Sequence, residues 1–358
     1  MTEFEQRRRA VADSLAEHKV DALLVSSPAN VRYLTGYTGS NGLALITPLE
    51  SHFITDPRYA IEVQSTITAK VHISKVPLIK TAIGIIKRKK IKHLGFEPVW
   101  TDYEQYKKIE DALGLGDSLQ PVSGVVENLR MAKSPAEVAK IRRAVEANSE
   151  AFWRVLRRIR PRSTEQEVAA ELDFQMRRLG AEKTSFETIV ACGPRSASPH
   201  VRPTDHRIGL NELVLIDMGA TLDGYNSDMT RMAYMGAPPR RIQSMYRAVA
   251  EAQLAALDAV RPGVAVSKVD RAARDVLQQH KLEKEFVHST GHGLGLEIHE
   301  APKIGKKEKT KLRAGMVITI EPGAYVQDLG GIRIEDTVLV TETGCEVLTP
   351  TPKEFFNL

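Results

Sequence analysis

The sequence predicts two domains of different class: an α/β domain over residues 1–132 and an α+β domain over residues 133–358. Three observations lead there. A chain of 358 residues is too long for one ordinary domain and short for three. From residue 20 to about residue 120, short apolar runs alternate with amphipathic stretches, the rhythm of strands joined by helices. Beyond Lys133 the pattern changes to long helical periods and to strands paired by turns, as when helices pack on an antiparallel sheet.

The opening MTEFEQRRRAVADSLAEHK is charged and amphipathic and lacks the apolar core of a signal peptide. No later segment approaches the ~20 apolar residues of a membrane span, so the expectation is a cytoplasmic chain with no membrane partner. In the first domain VDALLVSS, LALIT, HFITD, KVHISKV and KHLGFE read as strands, and residues 78–89 as a connecting helix. The basic run IKRKKIKH that follows reads as the solvated end of that helix, so the net charge of +5 carries no expectation of nucleic acid. Only two cysteines occur, Cys192 and Cys345, without a CxxC partner, which excludes a disulfide framework and a zinc–cysteine site.

Ser134-Pro135-Ala136-Glu137 begins the second domain as a helix start with proline at its first position, and the helical pattern runs to residue 160, where Pro161 stops it. A second helix is expected over 164–179, and two more between residues 240 and 280. No tandem repeat is present, which excludes a solenoid or propeller.

The informative residues lie after residue 185. In VLIDMGATLDGYNSDMTR, Asp223-Gly224 is a hairpin-turn signal. With the turn there, Asp228 stands opposite Gly219 and diagonal to Asp217, so both carboxylates share one face. Asp217 follows the apolar run LVLI, and a buried carboxylate needs a cation: a metal ion, Arg231 or Arg333. Glu321 and Glu335 end two further alternating runs, GMVITIEPGAYV and GGIRIEDTVLV. An antiparallel return through Gly330-Gly331 can bring them side by side, with Arg333 on the face of Glu335, although the register is undetermined.

The stretch HSTGHGLGLEIHE, from His288 to Glu300, is neither a dinucleotide fingerprint nor a phosphate loop, since Leu296 stands where GxGxxG needs glycine and no Lys-Ser/Thr follows. Nor is it a helical HExxH site, because Ala301-Pro302 follows His299-Glu300. Four carboxylates with one or two imidazoles suit two adjacent divalent ions of the Mn, Co, Fe or Zn type.

These segments, in this order, resemble the pita-bread metallopeptidases, in the proline-peptidase branch that holds aminopeptidase P and prolidase. ANVRYLTGYTGSNG, FITDPRYA and ACGPRSASPH extend the likeness over nearly the whole chain. The resemblance implies a creatinase-like amino-terminal α/β domain and an α+β pita-bread catalytic domain. Carried over, Asp217 is a bidentate ligand of one ion, Asp228 and Glu335 bridge both, and His292 with Glu321 completes the other. His200 and His299 hold the substrate and stabilise the reacting centre, Glu321 shuttles a proton, and His288 with Arg333 lines the proline side. The glycines around His292 are expected to let the chain pass close to metal and substrate.

The implied activity is hydrolysis of the Xaa-Pro bond at peptide amino termini, with two divalent ions, manganese first, and a homodimer. The alternative is an Xaa-Pro dipeptidase, for which the basic loop around Arg202 and His206 can supply the carboxylate partner. More remote are a non-catalytic binding protein and a metal-free hydrolase of the creatine amidinohydrolase kind. The chain departs from its relatives around His200, where Ser198-Pro199 precedes and Val201 follows, which changes the substrate pocket but no metal ligand.

Overall fold

The computed structural model describes residues 1–358, which form two compact units, Met1–Arg130 and Met131–Leu358. In the first, strands β1 (Ala22–Val25), β2 (Gly42–Ile46), β3 (Ser51–Thr55), β4 (Lys70–Ile73), β5 (Leu94–Phe96) and β6 (Leu119–Pro121) make one sheet in the order β4-β3-β2-β1-β5-β6. Helices α1 (Glu3–Ser14), α2 (Pro28–Thr35), α3 (Ala60–Thr66), α4 (Leu78–Lys89), α5 (Tyr103–Leu113) and α6 (Val125–Arg130) accompany it. The α4 helix buries Ile79, Ile83 and Ile86 against Leu24, Leu45, Ile54 and Leu94 of the sheet. The strand–helix rhythm breaks at one place. β2 and β3 pair antiparallel through a turn in which the Thr47 N–H donates to the Glu50 carbonyl, so the sheet is mixed.

The second unit opens with α7 (Pro135–Leu156), capped by a reciprocal Ser134–Glu137 pair, and α8 (Glu165–Arg178), capped by Thr164–Glu167. The first of these ends at Leu156, short of residue 160. Pro161 bars a helical conformation for the residue before it, and Ile159 turns back into the core at 4% exposure. Strands β7 (Lys183–Thr184), β8 (Ile189–Cys192), β9 (Glu212–Met218), β10 (Ala220–Leu222), β11 (Tyr225–Asn226) and β12 (Met229–Met235) follow, then α9 (Arg240–Ala259) and α10 (Val266–Gln279). The remaining strands are β13 (Gly291–Gly293), β14 (Glu300–Ile304), β15 (Val317–Ile320), β16 (Gly323–Val326), β17 (Gly330–Arg333), β18 (Asp336–Val340), β19 (Cys345–Val347) and β20 (Phe356–Asn357).

Instead of one antiparallel sheet, the strands form several ladders. The longest run β14-β13-β15-β18-β19 and β20-β12-β9-β8, the second with a parallel pair between β12 and β20. Alternation along β9 sorts its residues between two helix layers. Leu213 and Leu215 pack with Met245, Val249 and Val269 of α9 and α10, whereas Val214, Ile216 and Met218 pack with Phe152, Leu172 and Met176 of α7 and α8. Asp217 belongs by parity to the first face, at the end where the apolar layer gives way to a cavity. No helix is long and apolar enough to cross a membrane.

Candidate active site

The β9–β12 ladder pairs Asp217 with Thr230 and Met218 with Met229, and around the turn Leu222 pairs with Tyr225. Asp228 therefore comes level with Gly219, and Asp217, Asp228 and Thr230 share one face of the hairpin. A second hairpin supplies the glutamates. Ile320 pairs with Asp336 and Gly323 with Arg333, which leaves Glu321 and Glu335 facing each other between the two ladders. Gly330 and Gly331 belong to β17; the turn itself is Gln327-Asp328-Leu329, with Asp328 at a φ of +62°.

His292 sits in the middle of β13, and the glycines beside it serve the backbone. A β-carbon at Gly293 would lie 2.3 Å from the Ala301 carbonyl oxygen, and one at Gly291 would lie 2.0 Å from that of Thr319. They let β13 fit between β14 and β15, a reason other than the expected approach to metal and substrate. The His292 Nδ1 donates to its neighbour's carbonyl, Gly293, at 3.0 Å, which leaves Nε2 as a lone-pair donor. That nitrogen is 3.6 Å from Asp228 Oδ2 and 3.4 Å from Glu321 Oε1.

Asp228, His292 and Glu335 offer donor atoms within 4.8 Å of one another, a spacing that fits a metal ion. Burial raises the Asp228 and Glu335 carboxyls well above their ordinary range; Glu335 adds to the shift at Asp228, and Glu321 to that at Glu335. Burial likewise raises Glu321. Two threonines meet part of the demand: Thr230 donates to Glu335 at 2.6 Å and Thr319 to Glu321 at 3.1 Å. The Asp217 Oδ1 is buried without any hydrogen-bond partner, an orphaned acceptor on a residue that lines the same cavity. A divalent cation fits this donor set, since it would satisfy that oxygen and hold the raised carboxyls ionised.

Asp217 has a cationic partner within the protein. Its Oδ2 accepts from Arg333 Nη2 at 2.5 Å, a charge-assisted bond between two buried groups, while Oδ1 has no partner. Of the two arginines weighed as its partner, Arg333 fills the role. Arg231 lies behind the site and bonds Asp336 and the carbonyls of Thr230, Glu335, Thr351 and Pro352.

Arg333 also donates through Nε to Thr230 at 3.0 Å and through Nη1 to the Tyr325 hydroxyl at 2.7 Å. That hydroxyl lies 2.8 Å from His288 Nε2, and His288 Nδ1 lies 2.8 Å from the Ser289 carbonyl. The proton directions follow. Nδ1 must carry the hydrogen to reach a carbonyl, so Nε2 accepts from Tyr325, whose oxygen accepts from Arg333. Burial and the Arg333 charge lower His288 to about 4, consistent with a neutral ring, and burial keeps the Tyr325 phenol protonated to about 12.

The cavity measures about 670 Å³ and is lined by the metal, catalytic and substrate residues that the resemblance implies: His200, Asp217, Asp228, His288, His292, His299, Glu321, Arg333 and Glu335. His299 sits at the rim of the cavity, its ring edge-on to His292 with centroids 4.5 Å apart, and partial burial followed by the neighbouring imidazoles lowers its pKa. Arg202 and Lys303 also line the wall, with Arg202 paired to Glu187 at 3.1 Å. His206, grouped with Arg202 from the sequence, instead bonds Glu212 at 2.9 Å and takes no part in the lining. Tyr325 and Thr230 were missed, and strand parity could have found both. Tyr325 is four residues beyond Glu321 and Thr230 two beyond Asp228, hence on their faces.

Comparison with known proteins assigns this architecture. Residues 139–342 match the model of metallopeptidase family M24, and residues 7–132 match the creatinase/prolidase amino-terminal domain. The chain belongs to metallopeptidase family M24, with the creatinase-type domain ahead of a pita-bread catalytic domain. It is 35% identical over 351 residues to an Xaa-Pro dipeptidase of Pyrococcus furiosus, covering 98% of this chain and 99% of that one. Among solved structures, an Xaa-Pro dipeptidase from Bacillus anthracis superposes with a TM-score of 0.96 at 36% identity, over 99% of this chain and 100% of the other. An X-Pro aminopeptidase from Thermotoga maritima gives 0.88 at 34% identity, over 95% and 98%.

Proposed function

We propose that this chain is a divalent-metal-dependent Xaa-Pro dipeptidase. The observation that carries the reading is that Asp217, Asp228, His292, Glu321 and Glu335 line one cavity, with donor atoms of Asp228, His292 and Glu335 within 4.8 Å of one another and an orphaned Asp217 oxygen. Dipeptidases among the near relatives favour the dipeptide reading over the aminopeptidase reading drawn first from the sequence. The wall cations Arg202 and Lys303 suit a substrate with a free carboxylate. The reading includes two ions, manganese first among Mn, Co, Zn and Fe, held by those five residues, and a cytoplasmic homodimer.

An Xaa-Pro bond is a tertiary amide without an N–H, so a site for it must grip the ring and the flanking groups. When bound, the metal ions supply Lewis acidity and an activated water. His200 and His299 reach the cavity as donors for the scissile carbonyl, and the neutral His288 ring, held from behind by Tyr325, faces the proline side. Glu321, in the same cavity wall, takes up a proton and returns it to the leaving proline nitrogen.

The test compares Ala-Pro with Ala-Pro-Ala, each with Mn²⁺ and with chelator. Cleavage of Ala-Pro alone, lost on chelation and restored by Mn²⁺, is expected. Equal cleavage of the tripeptide would return the reading to an aminopeptidase, and full activity after metal stripping would remove the metal role.

A further inference from the structure

One fully buried carboxylate outside the cavity governs a wall of it. Glu165, the first residue of α8, has no exposed surface and accepts from both ends of the loop over residues 193–204. Its Oε1 receives the Cys192 N–H at 2.9 Å and Arg195 Nε at 3.1 Å. Its Oε2 receives the Thr204 N–H and the Thr204 hydroxyl, each at 2.9 Å. Arg195 also spans the loop, its Nη2 donating to the Arg202 carbonyl at 2.9 Å. Between these anchors lie Pro199, His200, Val201, Arg202 and Pro203, all of which line the cavity. On its other side the loop is held by the Ser196 hydroxyl, which accepts from the Gly331 N–H at 2.9 Å.

We propose that Glu165 is a positioning residue for the substrate wall. Through Cys192, Arg195 and Thr204 its carboxylate sets where His200 and Arg202 stand relative to the carboxylate cluster. The inference rests on the peptidase reading and extends it to a residue that never meets substrate. Charge and shape both matter. The anchors are all donors, and two carboxylate oxygens accept all of them. Glutamine keeps the size but turns an NH₂ toward either the Cys192–Arg195 side or Thr204, so one end of the loop loses its acceptor. Displacement of the wall by a fraction of an ångström is then felt at the reacting bond, where about 1 Å can cost roughly a hundredfold.

The experiment is a double-mutant cycle of Glu165→Gln with His200→Ala, read as kcat and KM for Ala-Pro, together with hydrogen exchange of the 193–204 amides. The expected result is a fall in kcat/KM of about ten- to a hundredfold for Glu165→Gln in the parent, little further loss in the His200→Ala background, and faster exchange confined to that loop. A merely structural role would reduce both backgrounds by the same factor, and that result overturns the proposal. So does a Glu165→Gln protein with kcat/KM within twofold of the parent and unchanged exchange. If Glu165→Gln fails to fold, Thr204→Val removes a single donor from the same anchor and must give a smaller change of the same kind. Should the parent cleave no Xaa-Pro bond at all, the peptidase reading fails, while the exchange measurement still decides whether Glu165 holds the loop.

Discussion

Replacing Tyr325 by phenylalanine isolates the hydrogen-bonded chain that runs from Asp217 through Arg333 and Tyr325 to His288. The ring stays, so packing is preserved, and one oxygen is removed. Two bonds are lost: Arg333 Nη1 to the hydroxyl at 2.7 Å and the hydroxyl to His288 Nε2 at 2.8 Å. The first involves a charge and is worth about 1.5–3 kcal/mol; the second is neutral and worth about 0.5–1.5 kcal/mol. Arg333 keeps Thr230 and Asp217, and its Nη1 retains the Pro199 carbonyl at 3.4 Å, so the loss falls toward the lower end, about 2–3 kcal/mol.

The same loss frees the His288 ring and one edge of the guanidinium on the proline side of the cavity. If about 1.4–2.8 kcal/mol of it is felt in the transition state, kcat/KM falls roughly ten- to a hundredfold. Urea denaturation reports the stability change, and steady-state hydrolysis of Ala-Pro reports the catalytic one. A Tyr325→Phe protein within twofold of the parent in kcat/KM, with an unshifted urea midpoint, would falsify the coupling of these four residues.

Other outcomes follow from the same geometry. Asp228→Asn removes one of the mutually repelling buried carboxylates, so the metal-free protein is expected to gain about 1 kcal/mol in stability while Mn²⁺ no longer raises its melting temperature; calorimetry with and without Mn²⁺ decides, and a stabilising response to Mn²⁺ equal to the parent's counts against Asp228 as a ligand. Gly293→Ala places a β-carbon 2.3 Å from the Ala301 carbonyl oxygen, and the required shift of β13 should destabilise the fold by about 1–3 kcal/mol and lower metal affinity with it, as read by denaturation and metal titration. In the first unit, His52 Nδ1 and His72 Nε2 are 3.0 Å apart, with Glu50, Lys70, Lys89 and Arg88 around them, and burial lowers both histidines. Lowered folded pKa values mean stability present above about pH 6.5 and lost as pH falls below it, so His72→Gln should flatten the fall in the urea midpoint between about pH 7 and 5; an unchanged slope excludes the pair as its source.

Much of the site was legible because turn chemistry set the register. Asp223-Gly224 placed the turn, and parity then put Asp217 and Asp228 on one face. The glutamates were legible as partners for a weaker reason. Gly330-Gly331 resembles a turn, but Gly330, although at positive φ, already belongs to β17 and the turn is centred on Asp328, so antiparallel pairing was readable and the turn was not. In the first domain, apolar runs marked the strands, while the short Thr47–Glu50 turn carries no glycine to distinguish it from a helical connection. Tyr325 was passed over because an aromatic residue in a strand reads as core. Glu165 was invisible for the opposite reason, since a glutamate in a helix's first turn reads as a solvated complement to the helix dipole. Only the return of residues 192–204 across the start of α8 buries it, and that packing is a property of the whole fold.

The carboxylate cluster is held at a junction between two hairpins, which explains how the fold tolerates it. Glu335 donates its N–H to the Thr230 carbonyl at 3.3 Å, and Thr337 donates its hydroxyl to the Asp228 carbonyl at 2.9 Å, so the strands bearing Asp228 and Glu335 are tied together by their own backbones. Behind them Arg231 spends all five N–H donors, two of them on the carbonyls of Thr230 and Glu335 and the rest on Asp336 and the 351–352 segment. The backbone positions of Asp228 and Glu335 are thus set by bonds that do not involve the carboxylates. Those side chains stay close together, their pKa values raised by burial and by one another and Asp217 Oδ1 unsatisfied, on a backbone that the ladders fix. A cation entering the cavity meets donors already converged, and its binding energy need not be spent on ordering them.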